Sequence, residues 1–149
     1  MNADHDITGP FEFHCTRELI LRLRPDTDLV ESLTKLARDE GIEAATFTAI
    51  GALKEGRLGY YDQIGQYYWK IRIDSRYELA SCVGNISLKD GEPFVHAHAV
   101  VSNEKGETRA GHLLEGIVFA VEVHLRQLEG PRLERKYDEP TALMLWTTE

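Results

Sequence analysis

The chain has only two cysteines among its 149 residues, Cys15 and Cys82, with no Cys-x-x-Cys pair and no finger-type spacing. That scarcity excludes a disulfide framework, and both read as reduced, packed thiols. Long apolar runs are also missing, since none approaches the roughly 20 residues that span a bilayer. The first residues, Met1-Asn2-Ala3-Asp4-His5-Asp6, are acidic where a signal peptide is basic, so a cytoplasmic protein is expected. Positive charge is in deficit: 17 Lys and Arg stand against 25 Asp and Glu, for a formal net charge of −8. A field of that sign repels a phosphate backbone and disfavours autonomous binding of nucleic acid. Internal repeats and low-complexity tracts are absent as well.

What is present is ordinary for a globular protein, with 42% hydrophobic and 28% charged residues. A chain of this length buries about 68–70% of its unfolded surface, enough for one core. Residues 1–16 are expected to form a loose N-terminal segment and residues 17–149 a single domain. Arg17 to Arg24 alternates polar and apolar residues as a half-buried strand does. Pro25-Asp26-Thr27-Asp28 offers capping side chains, after which Leu29, Leu33, Leu36 and Ala37 recur at helical spacing until Gly41 closes the helix. Ala44 to Ile50 is small, branched and nearly uncharged; it reads as a central strand covered on both faces and ending at Gly51. Further strands are expected at 57–61, 67–73, 78–86, 116–125, 133–137 and 143–146, separated by Gly, Asp and Ser turn signals. Many strands and one early helix predict an α+β domain on a largely antiparallel sheet.

Three of the six histidines gather around one predicted hairpin: His96 and His98 in Pro93-Phe94-Val95-His96-Ala97-His98-Ala99, and His112 in Gly111-His112-Leu113. In an extended strand, positions i and i+2 share a face with about 6.6–6.8 Å between their backbones. Two imidazoles leaning together across that gap can share one metal ion at roughly 2.0–2.1 Å per nitrogen. Whether His112 joins them depends on the turn. Asn103-Glu104-Lys105-Gly106-Glu107 suits a three-residue loop with Gly106 at positive φ, which pairs Asn103 with Glu107 and sets His98 opposite His112. A loop of two or four residues reverses the parity and turns His112 to the other side of the sheet.

These elements together resemble a known family. Ala49-Ile50-Gly51-Ala52-Leu53, Tyr77-Glu78-Leu79, Gly84-Asn85-Ile86, Asp90-Gly91-Glu92-Pro93-Phe94-Val95-His96-Ala97-His98 and Gly111-His112-Leu113 are similar, in order, to the plants-and-prokaryotes-conserved (PPC) domain, from about Arg17 to Trp146. The resemblance implies an α+β fold with an antiparallel sheet and a homotrimer, related in architecture to acetolactate decarboxylase, whose zinc is held by three histidines. It places His96, His98 and His112 at the family's metal positions, with zinc as the expected ion and another divalent metal as the alternative. In plants the domain is joined to AT-hook segments that contact DNA, whereas prokaryotic members are commonly solitary and often named DNA-binding by analogy. This chain has no Arg-Gly-Arg-Pro core and no basic tail, the element that would enter a minor groove. A stand-alone binding or regulatory protein carrying the family's DNA-binding label is therefore expected, with a zinc-dependent small-molecule lyase or hydrolase as the alternative.

An enzyme would need an acid or base beside the metal. Glu78 is the candidate, from its family-like motif; Glu115 and Glu122 are alternatives, and Arg109 could hold an anionic substrate. Tyr60, Tyr61, Tyr67, Tyr68 and Trp69 could stack on bases but read as cross-strand packing or a subunit interface. Arg132, Arg135 and Lys136, flanked by Glu129, Glu134, Asp138 and Glu139, read as a solvated face of mixed charge. His14 and His124 have no partner in sequence.

Overall fold

The computed structural model describes residues 7–147. His5 and the rest of residues 1–6 of the expected loose segment lie outside the described residues. Residues 7–13 form neither helix nor strand, and β1 (His14–Leu23) begins three residues before the expected point. Then follow α1 (Leu29–Glu40), β2 (Ala45–Asp62), β3 (Tyr67–Ile73), β4 (Tyr77–Lys89), β5 (Glu92–Ser102), β6 (Thr108–Glu129), β7 (Glu134–Asp138) and β8 (Leu143–Thr147).

The helix forms where its caps predict. The Asp28 carboxylate accepts from the Glu31 amide, and Gly41 closes the C-terminus at φ 66° with its N–H on the last carbonyls. The second Asp28 oxygen accepts from Gly116 N at 2.7 Å, which pins the helix start to β6. Leu29, Leu33 and Ala37 are buried along one helical stripe, which packs on β5 and β6.

All eight strands share one sheet in the order β3-β2-β6-β5-β4-β7-β8, with β1 on β6 and a further pairing of β2 with β4. The strands β2, β6, β5 and β4 therefore close a ring of pairings. Every pairing is antiparallel except β4 with β7. Phe47, Ala49, Cys82, Ala97, Ala99, Leu113 and Val123 turn inward to the core against α1.

Two expectations need correction. The segment through Ile50 is central but not covered on both faces: Ala45, Phe47 and Ala49 are buried while Thr46, Thr48 and Ile50 are exposed. Nor does it end at Gly51. There the β2–β4 register shifts, and the strand continues to Asp62, absorbing the segment read as separate at 57–61. The glycine marks a bulge rather than a stop.

Candidate metal centre

Alternation along β5 decides which residues leave the core. Val95, Ala97, Ala99 and Val101 are buried, so His96 and His98 stand on the opposite face. The β5–β6 loop has three residues, as its sequence predicts. Asn103 N donates to Glu107 O at 3.1 Å, Gly106 N donates to Asn103 O at 3.0 Å, and Gly106 sits at φ 75°. The Asn103 side-chain oxygen accepts from Lys105 N and Glu107 N, both at 3.0 Å, and fixes the turn. His98 then lies opposite His112.

The three imidazoles converge. One ring nitrogen from each lies within 4.8 Å of the others, and the ring centroids are 5.1, 5.2 and 5.5 Å apart. Behind His112, the backbones of β6 and β2 meet closely enough that a Cβ on Gly111 would stand 2.6 Å from the Gly59 carbonyl oxygen. The Tyr68 ring packs on His112 with centroids 5.3 Å apart, and Tyr61 packs on Tyr68 at 5.0 Å. Part of the aromatic cluster is thus the wall of the histidine site.

The electrostatics favour uncharged rings at His96 and His112. Burial, aided by the nearby Arg135 charge and the other two histidines, pushes His96 from 6.5 down to about 4. Burial likewise lowers His112, with His98 and Arg135 contributing. An unprotonated imidazole is the form that donates a lone pair to a metal. His112 Nδ1 is buried and has no hydrogen-bond partner, an arrangement that is costly unless something else engages it. The donor set and this orphaned nitrogen both fit a bound divalent cation.

Arg135 is the residue that sequence reading misplaces. It is 6% exposed, not solvated. Its Nη2 reaches Asn85 Oδ1 at 2.9 Å and His96 Nδ1 at 3.5 Å, while Phe94 and Trp146 each present a ring to the guanidinium. The partners on β4 and β5 lie up to fifty positions away along the chain and are brought to Arg135 by the β4–β7 pairing, while Trp146 faces it across β7 and β8.

The remaining candidates fall elsewhere. Glu78 pairs with Ser102 and Ala52 near the far end of β4. Its partner Ser102 is four residues from His98, or about 13–14 Å along a strand. It lines a separate cleft of about 770 Å³ with Lys54, Arg76 and Phe119. Glu115 is held by Arg57 at 2.7 Å, Glu122 is exposed, and Arg109 donates to the Arg72 carbonyl at 2.6 Å. His124 approaches Glu18 at 3.4 Å and, with His96, His98, Thr48 and Trp146, lines an open cleft of about 480 Å³. Cys82 is buried as expected, but Cys15 is exposed. Among the described residues, no helix is long and apolar enough to cross a membrane.

Comparison with known proteins agrees with this architecture. A metal-containing protein from Archaeoglobus fulgidus superposes with a TM-score of 0.91 at 39% identity, covering 94% of this chain and 99% of that one. A plant- and prokaryote-conserved (PPC) protein from Pyrococcus horikoshii gives 0.87 at 40% identity, covering 96% and 98%. The bifunctional protein GlmU of a Synechococcus strain is 30% identical over 127 residues, which is 83% of this chain. The chain spans about a fifth of the length of the curated relatives it matches, 19% in each case. The family described as the Plants and Prokaryotes Conserved (PCC) domain matches residues 11–129, and to that family, abbreviated PCC or PPC, this chain belongs.

Proposed function

We propose that the chain is a metal-dependent binding protein in which His96, His98 and His112 hold one divalent ion, zinc, and that three copies assemble through the outer face of the sheet. The convergence of three imidazoles, one with a buried nitrogen that nothing else engages, carries the reading. The description of the Archaeoglobus relative as metal-containing supports it. Zinc held by three imidazoles keeps a further position for water or a ligand and lowers the pKa of a bound water towards about 7.

Binding is favoured over turnover because the expected acid or base, Glu78, lies about 13–14 Å along the strands from the histidine row. Autonomous DNA contact has little physical support, since Arg17, Arg38, Arg57, Arg126 and Arg132 each face a carboxylate. Elemental analysis of the untagged protein should find one metal ion per chain, lost in His98→Ala; equal metal in both proteins would end the reading. DNA binding titrated against salt should give no signal even at low ionic strength. A lyase or hydrolase would instead reveal itself in a screen of small 2-oxo and 2-hydroxy acids.

A further inference from the structure

Arg135 takes no part in holding a metal, yet it is more deeply buried than any of the three histidines. Its Nε donates to Ser87 Oγ at 3.0 Å and its Nη1 to the Met144 carbonyl at 3.1 Å. Its Nη2 donates to Asn85 Oδ1 at 2.9 Å and faces His96 Nδ1 at 3.5 Å. The Phe94 and Trp146 ring centroids lie 5.4 and 5.3 Å from its central carbon. Every one of these partners is neutral. Among the described residues no ion pair reaches the guanidinium, and neighbouring Glu134 is engaged by Gly91 N and Arg132. A buried charge without a counter-charge is expensive, so its retention beside a cluster of metal-binding groups calls for a function.

The same imbalance extends to the whole centre. A divalent ion on three neutral imidazoles, with a guanidinium against one of them, concentrates three positive charges and no negative one. Asn85, His96, His98 and Trp146 open onto the cleft of about 480 Å³, a volume suited to a small organic molecule. The geometry points to a carboxylate-bearing small molecule as the ligand of this centre, its negative charge answered by the metal and by Arg135 together. The inference rests on the metal reading above. Arg135 is a positioning residue here: its donors are largely committed to the protein, and it acts through its field in a poorly solvated setting.

The test uses the full chain loaded with cobalt(II), its metal content measured directly, and follows visible absorption while acetate or neutral imidazole is titrated at constant ionic strength. Asn85→Asp sets a carboxylate against Nη2 without truncating the arginine. It should weaken acetate binding about tenfold and change imidazole binding less than about twofold. Arg135→Gln, read in the same way, should do likewise. Full cobalt content with acetate binding unchanged in both variants overturns this inference alone, as does an equal loss for both probes. A wild-type chain that takes up no cobalt overturns the metal reading and this inference with it.

Discussion

At the scale of single residues, the environment of each titratable group sets a measurable property. Unfolded, the His96 ring takes up its proton near pH 6.5; folded, only near pH 4. Between those limits the unfolded chain binds more protons, so the stability of the metal-free protein should fall as pH drops from 6.5 towards 4, and this ring should leave it unchanged above 6.5. His112 adds to the trend in the same direction. Thermal unfolding of chelator-treated protein across that range would show it, and a flat profile would contradict the buried, neutral state of the ring. The two cysteines offer a simpler readout. Burial pushes the Cys82 thiol up to about 12, whereas Cys15 is exposed. A disulfide reagent at neutral pH should modify one thiol in the native protein and both after unfolding. Arg135 shows where reading by residue type fails: Glu134-Arg135-Lys136 is a solvated run by composition, and what buries its central member is a set of partners remote in sequence.

At the scale of elements, local rules carry further. The helix, with Asp28 and Gly41 as its caps, and the three-residue hairpin loop were both legible because each is specified within a few adjacent positions. From the loop, counting alone brings His98 opposite His112. The lengths of β2 and β6 were not legible. Their internal glycines look like stops, and only pairing across the sheet shows that the strands run on for 18 and 22 residues. Two of the glycines make this testable. At Gly106 an added Cβ meets nothing within 4 Å, so Gly106→Ala should cost only the backbone strain of positive φ, about 1–2 kcal/mol, with metal retained. At Gly111 the Cβ would press on the Gly59 carbonyl, and Gly111→Ala should shift β6 from β2, cost about 1–3 kcal/mol, and loosen metal through His112. Urea unfolding paired with metal analysis separates the two; similar behaviour of both variants would contradict the close β2–β6 approach.

At the scale of the whole molecule, one row crosses the outer face of the sheet from Ile20 through His124, Thr48, Val83 and His98 to His112. Ile20, Ile50 and Val83 on that face are each more than half exposed, although the sequence reads the Ile50 strand as covered on both sides. The small, branched composition of that strand suits a face closed by another copy of the chain, which a single chain cannot supply. Val83→Asp should therefore reduce the proposed trimer to monomers in sedimentation, and a wild-type chain that sediments as a monomer would remove the trimer from the proposal.

The histidines sit inside the stretch shared with the family, residues 11–129, while Arg135 and Trp146 arrive from the short terminal hairpin beyond it. On the proposed reading, the groups that would hold the metal and the charge that would favour its ligand come from different parts of the chain. If the proposed ligand reading holds, exchanging that hairpin would change which molecule the centre accepts while keeping all three imidazoles in the chain, although His96 would lose its neighbour at Nδ1.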